Sequence, residues 1–456
     1  MRIFHDPIHG HIRMPRKYCE AFIDTPEFQR LKYIEQTSMR VIFPSARHDR
    51  FSHSLGVFYL AYKAISVLKC STKNISDIVA NSFVIASLLH DVGHAPFSHS
   101  LEHLYKKQVD KYFSRKSSCL RNKRDKDDFC SRIGSAAPHE FASAWLALTK
   151  FKNDIKKFDA DPPLVARMIT GAQYHSPINQ DEHYRNILIS LLNGDSIDVD
   201  KLDYILRDSW ASGVSNINLN IDRILSSLTI WENNKKPKLG YRKTAISSLQ
   251  QICDGRNHLY EWVVRHPRVV YWTHLLEKGV EHLSRKLGDE FTDKFFSFES
   301  FVNPVDCGNG ITAFRPMDGD LLYLFKQMQS SECPELEELL TRQYSRSPLW
   351  KTPDEFRYLF KDKRSLTDKQ MESLNRSLLR AEFKKDKIQP VFKSADIKFK
   401  VIQENEIFIN LFDNVFSPYI PRKNFESAAM PIPFYVYIPK ERMKNKEHFL
   451  DMLASI

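Results

Sequence analysis

The stretch that decides the fold is LLHDVGHAPFSHSLE at residues 88–102. It begins inside an apolar run at 83–89 (FVIASLL) that has the composition of a buried helix. His90 and Asp91 come directly after that run. Ionisable side chains in such a place are costly unless they are paired or bind a metal ion. Imidazole and carboxylate together suit Mn, Fe, Ni or Zn, or Mg held with a phosphate. Alone, a His-Asp pair is weak, because a hydrogen-bonded core histidine is the commoner explanation.

Two further segments make the case stronger. RHDRFSHSLG (47–56) and DSIDVDKLDYILRDSW (195–210) each carry chemistry-bearing side chains on a predicted helix. One histidine, one His-Asp pair and one aspartate on three helices give a four-ligand set: His53, His90, Asp91 and Asp200. We expect His94, four residues after His90, to share its helical face. His99 lies beyond the Ala95-Pro96 break and is expected to face a pocket.

Length and composition bound the protein class. The chain has 456 residues, 42% hydrophobic and 27% charged, which suits a globular protein of two or three domains and excludes a disordered chain, a collagen-like fibre or a simple coiled coil. No apolar run approaches the roughly 18 residues of a spanning helix, and MRIFHDPIHG lacks a secretory signal's apolar segment. Seven scattered cysteines without a CxxC pair predict free thiols in a reducing cytosol, hence a cytoplasmic protein without a zinc ribbon or membrane association.

The charge balance points to anionic partners. The formal net charge of +11 favours a nucleotide, a nucleic acid or a membrane surface without choosing among them. Residues 106–135 form a charged insertion, dense in Lys and Arg with Asp interleaved. We interpret it as a solvated surface segment, with a specific anion-binding arm as the alternative. We find no aromatic-interleaved nucleic-acid motif, so a nucleic-acid partner is possible but unsupported.

Periodicity predicts a mostly α protein. Helical signals occur at 25–36, 56–69, 80–92, 139–150, 184–210 and 247–287. After about residue 290 the texture changes to proline and short β-rich runs at 397–402, 406–412 and 434–438. The predicted organisation is therefore a helical core at 1–290 with the insertion at 106–135, and a smaller mixed α+β lobe at 291–456.

The joint order of several motifs resembles a known family. The matching segments are FHDPIHGHI (4–12), IDTPEFQRLKYIEQ (23–36), FPSARHDRFSHSLGV (43–57), LLHDVGHAPFSHSLE (88–102), HE (139–140) and IDVDKLDYILRDS (197–209), with a weaker RNHLYEWVVRH (256–266). They are similar to HD-domain metal-dependent phosphohydrolases, and more narrowly to the deoxynucleoside triphosphate triphosphohydrolases, which include the vertebrate SAM-and-HD-domain enzyme and bacterial dGTPase-like proteins. The resemblance covers about residues 1–290 and extends loosely beyond. It implies an HD-domain helical core.

The resemblance also implies residue roles. The metal ligands would be the four residues given above, and the metal would be Mn, Fe, Mg, Ni or Zn. The catalytic group would be His94, His99, Glu102 and His139. His99 would lie near the α-phosphorus and the leaving oxygen, with Glu102 and His139 supporting it, and His94 and Arg50 would contact the α-phosphate.

Two more sets follow from the same resemblance. Substrate contacts would come from Gln36, Arg50, Lys201, Tyr204, Asp208, Arg256 and Tyr260, with Lys201 on phosphate and Gln36, Tyr204 and Asp208 near the sugar. A regulatory nucleotide site would use Arg2, Asp24, Gln29 and Lys32. Asp24 is explained equally well as the N-cap of the helix that begins near Pro26.

The implied reaction is hydrolysis of a deoxynucleoside triphosphate to a deoxynucleoside and inorganic tripolyphosphate. The resemblance further implies activation by a nucleotide and homo-oligomers from dimer to tetramer or hexamer. The C-terminal lobe would then serve assembly and regulation. Thr37 and Val264 are smaller than their counterparts in the vertebrate enzyme, so we hypothesise a looser gate against a 2′-hydroxyl. Two alternatives stay open: an HD phosphohydrolase or phosphodiesterase acting on another nucleotide, and a nucleotide-sensing protein that binds nucleic acid.

Overall fold

Helices form most of the computed structural model, which describes the chain apart from residues 116–119, 121, 214–218, 234–235, 289, 329–332, 361–372, 374–381, 385, 387, 395–407, 413–414, 419–433 and 455–456. The described helices up to the middle of the chain are α1 (Arg16–Tyr18), α2 (Pro26–Gln29), α3 (Arg50–Ser71), α4 (Asp77–Leu89), α5 (Lys106–Phe113), α6 (Lys123–Arg132), α7 (Pro138–Leu148), α8 (Lys152–Lys157), α9 (Pro162–Thr170), α10 (Gln180–Leu192) and α11 (Val199–Ser212). The later ones are α12 (Ile221–Ser226), α13 (Ile246–Leu259), α14 (Pro267–Leu287), α15 (Phe291–Phe295), α16 (Asp318–Lys326), α17 (Pro334–Thr341), α18 (Pro353–Phe360) and α19 (Lys446–Ala454). A mostly α fold is confirmed.

Strands are short and form small sheets. They are β1 (Arg2–Asp6), β2 (Gly10–Met14), β3 (Leu228–Asn233), β4 (Lys236–Arg242), β5 (Val305–Asp306), β6 (Thr312–Ala313), β7 (Arg346–Pro348), β8 (Val391–Ser394), β9 (Phe408–Phe412), β10 (Val415–Pro418) and β11 (Phe434–Pro439). β1 and β2 form an antiparallel hairpin, as do β5 and β6. One mixed sheet has the order β10-β9-β4-β3, and an antiparallel sheet has the order β7-β11-β8.

Two central helices carry the first part of the site. α3 begins after Asp49, whose carboxylate accepts the Ser52 amide at 2.8 Å, and α4 begins after Ser76, which caps it through the Val79 amide at 3.4 Å. Nearly every side chain of α4 from Val79 to Leu89 is buried. A helix with an apolar surface on all sides packs in the interior of a protein. The polar residue that follows it, His90, therefore lies in the core.

Helix boundaries correct three sequence-based expectations. α4 ends at Leu89, so His94 is on a turn, its amide bonded to the Asp91 carbonyl at 3.0 Å, and does not share a helical face with His90. The predicted helices at 184–210 and 247–287 are each interrupted, because a new N-cap begins α11 and a π-helical turn at Tyr260–Val264 precedes α14, which begins at Pro267.

The predicted helix at 25–36 is also broken. α2 is a single turn and continues as a 3-10 helix, and Thr25 caps it by accepting the Phe28 amide at 3.4 Å. The N-cap explanation of Asp24 is therefore wrong. Asp24 instead accepts from the Arg2 guanidinium, with Nη2 at 2.9 Å.

The C-terminal lobe mixes helices with the β7-β11-β8 sheet, as the sequence predicted. The run at 434–438 forms β11, which is buried along its whole length. Part of the run at 406–412 forms β9, which pairs in parallel with β4, so the late chain returns to the helical core. The run at 397–402 lies outside the described residues. One continuous cluster of buried hydrophobic residues spans both parts of the chain.

The charged insertion is fastened to its surroundings. Arg167 of α9 is fully buried and donates to Asp125 at 2.6 Å and Asp128 at 2.8 Å, both on α6. Its guanidinium also lies 4.0 Å from the ring centre of Tyr174. Several of the insertion's own cations have acidic partners, namely Lys107 with Asp293, Lys111 with Glu299 and Arg124 with Glu182. These pairings suit a docked surface segment.

Among the described residues, no helix has the length and apolar character needed to cross a bilayer. The cysteines in the described part of the chain are all free thiols.

One buried histidine predicts acid sensitivity. Burial lowers the pKa of His274 on α14 to about 3, and the positive charges of Lys393, Lys278 and Arg346 act in the same direction. The unfolded chain binds this proton near pH 6.5, so stability contributed by the neutral ring is lost as the pH falls from about 6.5 to 3, at about 1.4 kcal/mol per pKa unit. Urea unfolding between pH 4 and 8 should show a shallower pH dependence for His274→Gln than for the wild type. Equal slopes would contradict this.

Candidate functional site

Four side chains converge where α3, α4 and α11 meet. The imidazole Nε2 atoms of His53 and His90 are 3.3 Å apart, and one ligand atom each from His53, His90 and Asp91 lie within 4.8 Å of one another. Asp200 joins them, its Oδ1 at 2.9 Å from His53 Nε2 and 3.7 Å from His90 Nε2. The histidines and Asp91 are buried, whereas the Asp200 side chain is 35% exposed.

Hydrogen bonds fix the orientation of both rings. His53 Nδ1 donates to Asp203 Oδ2 at 2.7 Å, and His90 Nδ1 donates to the Ser87 carbonyl at 2.9 Å. Because a carboxylate and a carbonyl can only accept, each ring uses its Nδ1 as a donor and turns its Nε2 toward the other ring. Two imidazole nitrogens at this distance leave room for one shared positive charge, a proton or a metal ion, between them. Two imidazoles with two carboxylates are a donor set that a divalent cation fits.

The electrostatics of the cluster favour positive charge. Burial alone would lower the pKa of His53, but the carboxylates of Asp200 and Asp203 outweigh it and raise that pKa to about 10. Burial opposes ionisation of Asp91, yet Arg50 and His90 outweigh it and hold the pKa of this carboxyl well below its usual range. The carboxylates therefore favour positive charge at this place, and the His53–His90–Asp91 group could hold a metal ion.

Arg50 ties the cluster to two backbone segments. Its Nη1 donates to Asp91 Oδ2 at 2.8 Å, its Nη2 to the Gln36 carbonyl at 2.8 Å, and its Nε to the Ser98 hydroxyl at 3.0 Å. The guanidinium is buried at the first residue of α3. It is thus a fixed positive charge beside the Asp91 carboxylate.

A second cluster adjoins the first and contains the predicted catalytic group. His94 and His139 stack with ring centres 3.8 Å apart, and His99 meets both rings edge-on. His139 Nδ1 donates to Glu102 Oε2 at 2.5 Å, and His99 Nδ1 lies 3.3 Å from the same oxygen. His94 Nε2 is 3.2 Å from Asp91 Oδ1, so the two clusters touch.

Burial and neighbouring charges shift the pKa values of His94 and His139 in opposite directions. Burial, with Arg50 and His139, holds the pKa of His94 well below its usual value, so this ring is neutral. Burial also lowers the pKa of His139, but the charge and hydrogen bond of Glu102 outweigh it and raise that pKa. The His99 side chain is 51% exposed and stands at the mouth of the site. Ligand atoms of His94, His99 and His139 also lie close enough together to hold a cation.

One face of α11 extends the site outward. Asp200, Tyr204 and Asp208 follow at four-residue intervals and share that face. Arg256 of α13 donates from Nε to the Tyr204 hydroxyl at 3.2 Å, and its guanidinium lies 4.7 Å from the ring centre of Tyr260. Asp208 Oδ1 accepts from His48 Nε2 at 2.7 Å. These predicted substrate residues therefore lie on, or next to, the face of α11 that carries Asp200.

Two other predicted substrate residues have different surroundings. The Lys201 ammonium is buried and donates to the Gly194 carbonyl at 2.8 Å and to Asp198. In this arrangement it is engaged within α11 and the preceding turn. The amide oxygen of Gln36 and the hydroxyl of Thr37 are buried without a hydrogen-bond partner among the described residues.

The residues of the predicted regulatory set lie in two adjoining pairs. Arg2 pairs with Asp24, and Lys32 Nζ donates to Gln29 Oε1 at 2.8 Å. Gln29 in turn donates to the Ile23 carbonyl at 2.8 Å. These contacts bring the hairpin and the α2 segment together on the surface.

Asp203 is the residue that the sequence reasoning missed. It is fully buried and accepts from His53, from His9 Nε2 at 2.6 Å and from Arg207 at 2.8 and 3.0 Å. Gly56 makes room for it, since a Cβ there would lie 1.9 Å from Asp203 Oδ1. A glycine inside a buried helical run, three residues after His53, was the available signal.

Comparison with known proteins agrees with this geometry. The HD domain family matches residues 50–169, which include His53, His90 and Asp91. The chain is 29% identical over 279 residues to deoxynucleoside triphosphate triphosphohydrolase SAMHD1 of Xenopus laevis, covering 58% of this chain and 43% of the relative. It is 29% identical over 364 residues to the Danio rerio protein of the same name, covering 74% and 53%.

The chain is also similar to an archaeal protein and to a solved bacterial structure. An uncharacterised protein of Methanocaldococcus jannaschii is 29% identical over 282 residues, covering 61% of this chain and 49% of the relative. The chain thus spans about half the length of these curated relatives. A crystal structure of a hypothetical protein from Aquifex aeolicus covers 98% of this chain and 99% of its own, with a TM-score of 0.64 and 21% identity, which shows a shared fold.

Proposed function

This chain belongs to the HD-domain family, and from that membership we propose that it is a metal-dependent phosphohydrolase that acts on deoxynucleoside triphosphates. The products would be a deoxynucleoside and inorganic tripolyphosphate. The observation that carries the proposal is the pair of Nε2 atoms, on His53 and His90, that face each other between carboxylates beside the His94–His99–His139 cluster. A structural histidine pair would need neither the carboxylates nor the exposed third histidine.

The proposed metal ligands are His53, His90, Asp91 and Asp200. A divalent cation bound there would supply Lewis-acid polarisation of the α-phosphate and a more acidic water. The chain's own contribution is a rigid frame, because each histidine is oriented by an acceptor on its other nitrogen and Asp91 is fixed by Arg50.

Proton delivery is assigned to His99. In the net reaction the oxygen of water bonds to the α-phosphorus, and the bond from phosphorus to the 5′-oxygen breaks. The departing 5′-oxygen takes a proton from His99, which stands in an exposed position. The proton that the water loses then replaces the one that His99 gave. Glu102 accepts from His139 and faces His99, so it orients both rings, and its charge raises the pKa of His139.

Charge and shape assign the remaining contacts. Arg50 and the neutral His94 are proposed to face the α-phosphate, and Arg256 with Tyr260 the outer phosphates. The buried amide of Gln36 and the Tyr204 and Asp208 side chains are proposed sugar contacts. Lys201 would reach phosphate only by leaving Asp198, so we propose that substrate exchanges one anionic partner for another.

The regulatory site and assembly state belong to the same proposal. Arg2, Asp24, Gln29 and Lys32 are proposed to take an activating nucleotide, with the Arg2–Asp24 pair opening to admit it. The basic balance of the chain suits an anionic ligand there. Activity that appears only with a mixture of nucleotides, together with a change in oligomeric state, would support this.

Product analysis tests the proposed reaction. Purified protein is incubated with Mn²⁺ and each deoxynucleoside triphosphate, singly and mixed, and ion chromatography separates the phosphate products. Tripolyphosphate with free deoxynucleoside is the expected result. Pyrophosphate or orthophosphate would favour a phosphohydrolase with another bond specificity, and no turnover together with steeply salt-dependent DNA binding would favour the nucleotide-sensing alternative. Comparing dGTP with GTP tests the looser 2′ gate, which a strict preference for dGTP would contradict.

A further inference from the structure

Asp318 brings the C-terminal lobe into contact with the rim of the site. It is the first residue of α16 and only 7% exposed. Its Oδ1 accepts the Phe97 amide at 2.6 Å, and its Oδ2 accepts the Glu35 amide at 2.9 Å. One carboxylate thus joins two segments of the helical core that are far apart in sequence.

The first of these segments is strained. Phe97 and Ser98 have φ angles of 58° and 52°, in the left-handed region that non-glycine residues rarely adopt. Such a conformation persists only when the surroundings hold it. Asp318 holds the Phe97 amide, and the Phe97 ring packs edge-on against Trp272 with centres 5.4 Å apart. The strained turn leads directly into His99.

Both segments then converge on Arg50. The Ser98 hydroxyl donates to the Glu35 carbonyl and accepts from Arg50 Nε at 3.0 Å. The Gln36 carbonyl, one residue after the amide that Asp318 holds, accepts from Arg50 Nη2 at 2.8 Å. Arg50 is therefore held on two sides by backbone that Asp318 fixes, and its remaining nitrogen donates to Asp91.

A second anchor lies beside the first. Arg315, three residues before Asp318, donates to the buried Glu27 carboxylate at 2.9 Å, and its own φ of 52° is left-handed. Arg30, one turn after Glu27, donates to the carbonyls of Val92 and His94. Residues 315–318 of the C-terminal lobe therefore reach the loop after His90–Asp91 by two separate routes.

We propose that Asp318 is a positioning residue for the metal centre, which holds the turn before His99 and, through Ser98 and Gln36, the guanidinium that orients Asp91. The C-terminal lobe then completes the catalytic geometry of a site whose ligands all belong to the helical core. The catalytic part of this inference rests on the proposed function, whereas the metal-binding part does not.

The raised pKa of Asp318 shows that ionising this buried carboxyl costs free energy of folding. Burial raises the pKa of this carboxyl to about 7, the amides of Glu35 and Phe97 oppose that rise, the Glu35 charge adds to it and Arg30 opposes it. A carboxyl whose folded pKa lies above its unfolded value contributes stability at acid pH that is lost as the pH rises toward 7. At pH 8 Asp318 is therefore ionised, and this ionised form makes the folded state less stable than the protonated form would.

Asp318→Asn separates positioning from stability. Asparagine keeps the size but places an NH₂ group against one of the two amides, so one anchor is lost. At pH 8 we expect kcat at least 10-fold lower with KM within about 3-fold, the Kd for Mn²⁺ alone raised at least 5-fold, and a Tm no lower than that of the wild type. Asp320→Asn is the matched control: Asp320 lies on the same turn but caps only its own helix, through the Met317 amide at 2.8 Å.

Two results would overturn the inference. Wild-type kcat and Mn²⁺ affinity in Asp318→Asn would show that the clamp does not position the site. Parallel losses of activity and Tm in both variants would show a merely structural role. If the wild type releases no tripolyphosphate, the proposed function fails, but Mn²⁺ titration of the two variants still tests Asp318.

Discussion

Replacing Asp91 with alanine is expected to lower turnover by at least about 10³-fold and to abolish measurable Mn²⁺ binding. Asp91 is a proposed carboxylate ligand of the metal and is also the anionic partner of the buried Arg50. Its loss leaves an uncompensated guanidinium in the core, which costs about 3–5 kcal/mol of stability. Turnover, Mn²⁺ titration and urea unfolding measure the three effects separately.

Asp91→Asn distinguishes chemistry from misfolding. The amide oxygen of asparagine can still accept from Arg50, so the fold is better preserved, but the negative charge is gone. We expect turnover to fall nearly as far as in the alanine variant. Asp222→Asn, on an exposed carboxylate paired with Lys63, should behave as wild type. Mn²⁺ binding and turnover retained in Asp91→Asn would contradict the assignment of the metal site.

Replacing Asp203 with asparagine is expected to weaken Mn²⁺ binding by about 10–100-fold and to destabilise the fold by about 3–5 kcal/mol. The carboxylate orients His53 and also accepts from His9 and Arg207, all in a fully buried position. An amide group there must turn a donor toward one of three donors. Urea unfolding in EDTA isolates the stability effect, and Mn²⁺ titration isolates the effect on the ligand.

Asp208→Asn is the matched control for metal affinity. It lies on the same helix and pairs with a histidine at a similar distance, 2.7 Å to His48, but it contacts no proposed metal ligand. We expect its Mn²⁺ affinity to equal that of the wild type. If both variants lose affinity equally, or neither does, Asp203 has no specific role in holding His53.

The proposed metal ligands could be predicted because each lies in a short, strongly constrained motif. His90-Asp91 ends a run of buried apolar residues, and the acidic cluster at 195–208 opens an amphipathic helix. The helical core and the later mixed lobe also followed from periodicity and from β11, which is apolar throughout. Local patterns were sufficient wherever one segment determines its own environment.

The remaining features depend on contacts between distant segments. His94 reaches the site from a turn because α4 ends at Leu89, and helix ends are poorly specified by apolar periodicity. Asp203 looked like any other acidic residue of its helix until Gly56 brought α3 against it. Asp318 is 221 residues from Phe97, and nothing near either residue indicates their hydrogen bond.

Isotope transfer from water tests the central claim most directly. Hydrolysis of a deoxynucleoside triphosphate with Mn²⁺ in ¹⁸O-enriched water, followed by mass spectrometry, locates the oxygen that water supplies. Attack at the α-phosphorus beside Asp91 and His99 predicts one ¹⁸O atom in tripolyphosphate and none in the deoxynucleoside. Label in the deoxynucleoside, or label in pyrophosphate or orthophosphate formed in place of tripolyphosphate, would contradict the proposed reaction.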